Sequence, residues 1–169
     1  ALFRLRNALG LEANPKAKTI RSYLNRKVDI SDVVAPPLEK VKKVWIDWSI
    51  NNPKLPRSSA EVAAVLKDSG ATLGIGRYCE NRWVYESADF DCSDPNARTF
   101  HLGVDLWMEV GAPVYAPLDG VVELFNDNAK HLDYGPVVIL RHNCDDGTPF
   151  WTLYGHLSKQ SLENWQIGK

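Results

Sequence analysis

Apolar side chains at helical spacing mark the beginning of the chain. Residues 2–11 place leucines on one face and predict a first helix. A second helix is predicted to begin at Pro15, because Asn14 is a favourable N-cap and proline fits the first helical turn. The prolines at positions 36 and 37 cannot continue a helix. We therefore interpret residues 1–35 as a helical connector.

Between residues 36 and 97 the sequence pattern predicts short elements, both helix and strands. Ser58, followed three residues later by Glu61, is typical of a capped helix start, and Gly70 is a favourable end for the same helix. Runs of β-branched and aromatic residues predict strands on both sides of this helix. The predicted strands are residues 44–50 before the helix, and residues 71–78 and 82–85 after it, paired through a turn at Glu80-Asn81. Residues 36–97 are therefore predicted to form a small α/β appendage.

The last part of the chain, residues 98–169, alternates between short apolar runs and turn residues. Turns are predicted at residues 117–120 and 145–147. The strands predicted around these turns are residues 114–116, 120–125, 136–141 and 150–154. Short strands joined by tight turns favour antiparallel pairing. We therefore expect a mainly β fold, an antiparallel β-sheet domain with an α/β appendage, preceded by N-terminal helices.

The composition narrows the classes of function. Of the 169 residues, 44% are hydrophobic and 24% are charged, and the net charge is −1, so charge gives no reason to expect nucleic acid or an anionic membrane as a partner. No apolar run approaches the ~18 residues that span a bilayer, and residues 1–6 carry charges where a secretory signal needs an apolar core. Three cysteines without a CxxC pair fit reduced thiols better than a disulfide framework. We expect a cytoplasmic protein with no nucleic-acid or membrane partner.

His101 and Asp105 are the first candidates for chemistry. Imidazole and carboxylate groups are both good zinc ligands. In a fully extended strand the two Cα atoms would lie about 13 Å apart, but Gly103 between them permits a bend that brings the side chains together. A turn-forming histidine and a capping aspartate are the structural alternative, and the spacing alone does not decide between the two.

His156 is the second candidate. It follows Tyr154-Gly155 at the end of the last predicted strand, where an exposed imidazole can act as a general base. A half-buried structural histidine is the alternative. Of the other two histidines, His131 lies in a polar loop and is interpreted as surface, and His142, after the predicted strand that ends at Arg141, is not expected to reach a metal.

The order of these motifs resembles a known family. The chain contains His101-x-x-x-Asp105 and then, in order, the Gly-Ala-Pro-Val-Tyr-Ala-Pro-Leu-Asp-Gly run of residues 111–120, the Tyr-Gly-Pro-Val-Val-Ile-Leu run of residues 134–140 and the Thr-Leu-Tyr-Gly-His-Leu-Ser run of residues 152–158. This ordered set resembles the lysostaphin-type, or LytM-like, zinc metallopeptidase domain.

The resemblance implies a fold, a cofactor and a site. Members of the family hold one zinc ion in an antiparallel β groove, a half barrel of the duplicated hybrid motif type. They hydrolyse peptides, typically glycine-containing peptides or the cross-links of peptidoglycan. By the match of motifs, His101 and Asp105 are implied as zinc ligands, and His156 as the catalytic histidine that helps to activate the attacking water. The implied partner is a peptide substrate.

The chain departs from the family pattern in its metal ligands. The family completes its ligand set with a His-x-His motif near the end of the domain, and no such motif follows His156. Catalytic zinc sites usually have three protein ligands. We therefore expect residues 98–169 to be an incomplete peptidase domain that binds zinc weakly and is inactive alone, in a chain that is a piece of a longer protein.

A wider resemblance covers nearly the whole chain. It is carried by residues 2–10, 74–78, 98–105 and 132–136. Together they resemble the central region of large bacterial fusion proteins, in which a kinase-like phosphotransferase domain precedes a lysostaphin-type domain and a class III aminotransferase follows it. The resemblance implies flanking domains as partners and a cytosolic location, which argues against a cell-wall substrate.

Two other classes of function remain open. One is a non-catalytic module that keeps the β groove for binding or for docking its neighbours. The other is a carrier domain, because residues 111–121 also resemble the half-barrel repeat of biotinyl, lipoyl and sugar-phosphotransferase carriers. No acceptor lysine lies in a suitable hairpin, and although His101 or His156 are candidates for a phosphohistidine, the partner Asp105 favours the peptidase.

Overall fold

The structure of the protein is a computed structural model. It describes residues 15–26, 29–86, 100–163 and 165–168. The first predicted helix, residues 2–11, lies outside these ranges. The chain divides into two compact units, one made of Val34–Val114 and the other of Ala1–Val33 with Tyr115–Lys169. The predicted domain boundaries after residues 35 and 97 follow a different division, which stays a prediction.

Short strands make up most of the regular structure. The helices are α1 (Pro15–Arg26) and α2 (Ser59–Ser69), with 3₁₀ turns at Trp83–Glu86 and Lys159–Leu162. The strands are β1 (Lys43–Ile46), β2 (Leu73–Gly76), β3 (Glu80–Asn81), β4 (Phe100–His101), β5 (Leu106–Trp107), β6 (Val121–Asn128), β7 (Gly135–Asn143) and β8 (Pro149–Tyr154). Over the described ranges they form three sheets, ordered β1-β2-β5, β3-β4 and β6-β7-β8. The prediction of a mainly β fold with a small helical part is confirmed.

The unit Val34–Val114 is built on a β1-α2-β2 arrangement. β1 and β2 pair in parallel, and β5 pairs antiparallel with the other side of β2. The predicted caps of α2 are present, because the Ser58 hydroxyl accepts a hydrogen bond from the Glu61 amide at 3.2 Å and Gly70 ends the helix at φ 63°. The side chains of Ile46, Val62 and Leu73 are fully buried and form its core. This is the predicted α/β region.

One predicted element of this unit is wrong. Glu80-Asn81 is not the turn of a hairpin; it is β3, which pairs with β4, so that Glu80 lies opposite His101 and Asn81 opposite Phe100. The predicted return strand over residues 82–85 is replaced by a 3₁₀ turn at Trp83–Glu86. The partner of β3 therefore comes from a distant part of the sequence, which a local turn signal does not reveal.

The other unit contains the antiparallel sheet β6-β7-β8, at three of the four positions where strands were predicted. Residues 114–116 are not a fourth strand; Val114 makes only an isolated bridge with Val34. One face of the sheet buries a cluster of Val122, Val138 and Leu140. A second cluster, made of Leu118, Cys144 and Phe150, is covered by Ile20, Tyr23 and Leu24 of α1. These three residues lie on one face of α1 and pack against the sheet unit.

The described ranges contain two α-helices, α1 and α2. Within them, no helix combines the length and the apolar character that crossing a bilayer requires.

Candidate metal centre

The structure brings His101 and Asp105 together within the unit Val34–Val114. β4 ends at His101 and β5 begins at Leu106, so Asp105 closes the short loop between the two strands. The imidazole Nε2 atom of His101 lies 3.6 Å from the Oδ1 atom of Asp105. Two ligands at 2.0–2.1 Å from a tetrahedral zinc ion are separated by about 3.3 Å. The pair therefore has the spacing that a shared ion requires.

Gly103 makes this approach possible by leaving space. A Cβ atom at position 103 would lie 2.9 Å from Cε1 and 3.1 Å from Nε2 of the His101 ring. Heavy atoms do not approach a real Cβ so closely, so any side chain here would displace the imidazole. The expectation from the sequence was a bend that glycine permits; the structure adds that the ring of His101 occupies the place of the missing side chain.

Strand β2 fixes the backbone of Asp105. The Gly76 amide donates a hydrogen bond to the Asp105 carbonyl oxygen at 2.9 Å. The ring of Trp107 packs over Gly76, where an added Cβ would meet Cζ3 at 2.9 Å. The ring of Trp48 lies 5.4 Å from that of Trp107, measured between centroids. Asp105 is therefore held by a packed part of the unit rather than by a free loop.

A buried ion pair next to the site was not singled out from the sequence. The guanidinium of Arg82 donates through Nη2 to Oδ2 of Asp105, and through Nε to Oε2 of Glu80 at 2.9 Å. Glu80 and Arg82 are only 4% and 6% exposed. The other Glu80 oxygen accepts from the Trp48 amide at 3.0 Å. The sequence held one weak signal, an acidic and a basic residue two positions apart, which places both side chains on the same side of a strand.

The electrostatics of the site favour a neutral imidazole. Burial lowers the pKa of His101 below its ordinary value of 6.5, and the positive charge of Arg82 lowers it further, while the carboxylate of Asp105 opposes both effects. The neutral ring is the form that binds a metal ion. The Nδ1 atom of the same ring is buried and makes no hydrogen bond within the described residues.

His156 lies in the other unit, just after β8. Its backbone adopts φ 56°, a left-handed conformation that is uncommon for a residue other than glycine. The amide of His156 donates to the Tyr134 carbonyl at 2.7 Å, and the next amide, of Leu157, donates to the Pro136 carbonyl at 3.0 Å. Gly155 packs against the Tyr134 ring. The backbone is thus firmly held and His156 is exposed, but its role as the catalytic residue stays a prediction.

The remaining histidines differ sharply in their surroundings. His142 is 2% exposed and lies within β7, not after it as predicted. Its Nδ1 lies 2.8 Å from the Asp119 carbonyl oxygen, and its Nε2 lies 2.8 Å from the Thr152 hydroxyl. Both ring nitrogens are therefore used inside the protein, in agreement with the interpretation that His142 does not reach a metal. His131 is exposed in the turn before β7.

The residues present fit part of a zinc site. His101 and Asp105 have the right ligand chemistry and the right separation. Within the described ranges, however, no group of three His, Cys, Asp or Glu side chains is placed to hold a metal ion. The structure therefore brings together two residues whose chemistry suits zinc, and no third such residue joins them among the residues that it describes.

Comparisons with known proteins find similarity to peptidases. Residues 99–167 match the family model of Peptidase family M23. A protein of Haemophilus influenzae, described as an uncharacterized metalloprotease, is 38% identical over 109 residues, which cover 59% of this chain and 21% of that protein. The chain thus spans about a fifth of the length of this curated relative. No solved structure matches the chain significantly. The part of the chain that holds His101, Asp105 and His156 is therefore similar to a family of metallopeptidases.

Proposed function

We propose that this chain carries part of a zinc-dependent endopeptidase domain of the lysostaphin type. His101 and Asp105 are the proposed zinc ligands, and His156 is the proposed catalytic histidine. The observation that carries the proposal is the 3.6 Å separation between His101 Nε2 and Asp105 Oδ1, inside the residues that match Peptidase family M23.

Each residue has a distinct task in this proposal. His101 offers the lone pair of Nε2, because its lowered pKa keeps the ring neutral near pH 7. Asp105 offers Oδ1, while its other oxygen is held by Arg82. A bound zinc ion would supply Lewis acidity towards a peptide carbonyl and towards water. His156 takes a proton from the attacking water and returns it to the leaving amine, the usual work of an exposed imidazole near neutral pH.

The ligand set needs a third member. The family resemblance implies a His-x-His motif, and these 169 residues contain none. We therefore assign no residue of this sequence as the third ligand. With two ligands, the 169-residue chain is expected to bind zinc weakly and to show no peptidase activity by itself.

The substrate class and the flanking domains are proposed from the family resemblances. The substrate is a peptide, of the glycine-containing kind that the lysostaphin-type family cleaves. The wider resemblance supports a cytoplasmic fusion protein with a phosphotransferase domain and a class III aminotransferase as flanking partners.

A non-catalytic docking module is the second candidate. One observation favours it: Arg82 already neutralises Asp105 through a hydrogen-bonded ion pair without any metal ion. In that case the ion pair with Arg82 and the hydrogen bond from the Gly76 amide hold Asp105. Metal binding distinguishes the two candidates directly, because a docking module has no need of it.

The test measures the zinc affinity of the 169-residue chain by competition with a chromophoric chelator. We expect one weak site, lost in His101→Ala, which removes a ligand atom, and in Asp105→Asn, which removes the negative charge of the ligand carboxylate. Glu123→Gln is the matched control, since Glu123 also pairs with an arginine, Arg141, at 3.1 Å, but on the surface of the other unit. If His101→Ala and Asp105→Asn both bound zinc as the native chain does, the ligand assignment would be wrong.

Activity is tested separately, on a protein that includes a His-x-His motif. A library of glycine-containing peptides is incubated with zinc-loaded protein, and the new termini are identified by mass spectrometry. His156→Ala is expected to abolish cleavage while zinc stays bound. Tight zinc binding without cleavage of any peptide would favour the docking module.

A further inference from the structure

The ion pair of Glu80 and Arg82 lies outside the residues that match the peptidase family, yet it contacts a proposed ligand. The family match begins at residue 99. Arg82 reaches across from the end of β3 and binds the Oδ2 atom of Asp105. Asp105 therefore presents its two oxygens to different partners, Oδ2 to the guanidinium and Oδ1 to the imidazole of His101.

We propose that Arg82, oriented by Glu80, is a positioning residue for the metal centre: it holds Oδ2 of Asp105 so that Oδ1 alone faces the ion. This inference rests on the proposed function, because it presupposes that His101 and Asp105 bind zinc. Hydrogen bonds to the free oxygen of a ligating carboxylate are known to orient it, and their loss typically costs 10- to 100-fold in metal affinity.

The guanidinium is itself held tightly enough for this task. Its planar fork binds Glu80 through Nε and Asp105 through Nη2, two contacts that fix both its position and its plane. Its Cζ atom lies 5.4 Å from the centre of the Trp48 ring, a cation–π contact. The Trp48 amide in turn binds the second oxygen of Glu80 at 3.0 Å. Every strong acceptor of Glu80 is thus used, and Arg82 has little freedom to turn away.

The same short segment also sets the position of the other ligand. Glu80 and His101 are paired residues in the β3-β4 ladder, so the backbone of β3 places the imidazole. The Gly76 amide, four residues before Glu80, holds the Asp105 carbonyl oxygen. Residues 76–82 therefore fix His101 through strand pairing, and Asp105 through one backbone bond and one guanidinium. The α/β region is in this way part of the metal centre rather than a separate appendage.

A positioning role and a purely electrostatic effect predict opposite changes in zinc affinity when Arg82 is replaced. A guanidinium beside an ion of charge +2 repels it, so removing that charge would tighten zinc binding if charge alone mattered. If Arg82 orients the carboxylate, its removal frees Asp105 to rotate or to bind in a different mode, and zinc binding weakens. The sign of the change in affinity therefore decides between the two.

The experiment measures zinc affinity of the 169-residue chain and its variants by chelator competition. Arg82→Gln is expected to weaken binding about 10- to 100-fold. Arg82→Lys keeps the charge but has no fork for two carboxylates, so it is expected to weaken binding as well. Arg77→Gln is the matched control, because Arg77 carries the same charge on the same segment but is exposed. Its affinity is expected to stay close to that of the native chain.

A double variant tests whether weaker zinc binding results from loss of folding. Arg82→Gln alone leaves Glu80 buried without its partner, which is strongly destabilising. Glu80→Gln/Arg82→Gln removes both charges, so no unpaired charge is left at position 80, and near-UV circular dichroism checks its packing. We expect it to bind zinc as weakly as Arg82→Gln. The visible spectrum of bound Co²⁺ is expected to change too, because it reports the coordination geometry, which loss of stability alone would leave unaltered.

The outcomes separate this inference from the proposed function. Unchanged or tighter zinc binding in the folded double variant would overturn the positioning role, while loss of zinc in His101→Ala would still support the metal site. If His101→Ala bound zinc as the native chain does, the metal site itself would be wrong, whatever Arg82 did. If Arg77→Gln weakened binding as much as Arg82→Gln, a general disturbance of this segment, and not the contact of Arg82 with Asp105, would be responsible.

Discussion

At position 103 the candidate metal centre has no room for a side chain, because the His101 ring fills that space. Gly103→Ala would place a Cβ atom 2.9 Å from Cε1 of the ring. We expect the imidazole to turn away from Asp105 and zinc affinity to fall by about 10-fold or more, as for other losses of ligand orientation. Chelator competition measures the affinity, and the NMR signals of the ring report its displacement.

The neighbouring Leu102 supplies the control for this change. Its side chain is 66% exposed, so Leu102→Ala alters the same loop without touching the ring. Native zinc affinity is expected in that variant. Equal losses in Gly103→Ala and Leu102→Ala would mean that loop stiffness, and not space for the imidazole, controls the site.

The two described cysteines are expected to differ in reactivity because their exposure to solvent differs. Cys79 is exposed, whereas Cys144 is buried. Burial raises the pKa of the Cys144 thiol above its ordinary value, and the nearby charges of Asp146 and Asp145 raise it further. Because the thiolate is the reactive form, we expect Cys144 to stay unreactive as the pH rises through the range in which an ordinary thiol ionises.

The measurement follows maleimide labelling between pH 7 and 9 in a Cys92→Ser background. Cys79 is expected to react in the folded chain because it is exposed, and Cys144 is expected to react only after the chain is unfolded in denaturant. Comparable rates for both cysteines in the folded chain would contradict the buried position of Cys144.

Among the elements, α2 depends on the caps at its two ends. The Ser58 hydroxyl accepts from the Glu61 amide at 3.2 Å, and a Glu61 carboxylate oxygen accepts from the Arg57 amide at 2.8 Å. We expect Ser58→Ala to lower the free energy of unfolding by about 1 kcal/mol, because a helix amide loses its partner. Urea unfolding measures this, with Ser58→Thr as the control that keeps a hydroxyl. Zinc affinity should not change, since α2 does not contact the proposed ligands.

Elements that are determined by nearby residues were predicted well from the sequence. The caps of α2, the start of α1 at Pro15, and the strands β6, β7 and β8 all carry local signals of apolar spacing and turn residues. The exception is β3. Its two residues look like a turn, yet they pair with β4, which lies about twenty residues further along the chain. Local patterns do not encode which distant segment completes a strand pair, so this element was missed.

At the scale of the whole molecule, the candidate site combines residues that were predicted from the sequence with residues that were not. His101 and Asp105 were found because their order and spacing match a family pattern, and the structure brings them together. Arg82 and Glu80 were missed, because nothing in the sequence between positions 82 and 105 indicates that they meet. Candidate ligands can be identified from residue type in the sequence. The residues that orient them can be identified only from contacts in the three-dimensional structure.

Zinc binding gives a prediction for the stability of the entire chain. A ligand that binds only the native state stabilises it by about 2.7 kcal/mol when its free concentration is 100 times its Kd. For a chain of this size we expect the unfolding midpoint to rise by about 5–10 °C, as measured by scanning calorimetry. Asp105→Asn should abolish the rise, because Oδ1 is a proposed ligand atom. His156→Ala should keep it, because the proposed role of His156 is proton transfer and not metal binding. If the unfolding midpoint still rose in Asp105→Asn but not in His156→Ala, His156 and not Asp105 would be the zinc ligand. If zinc raised the midpoint of neither the native chain nor any variant, the docking module would be the better account.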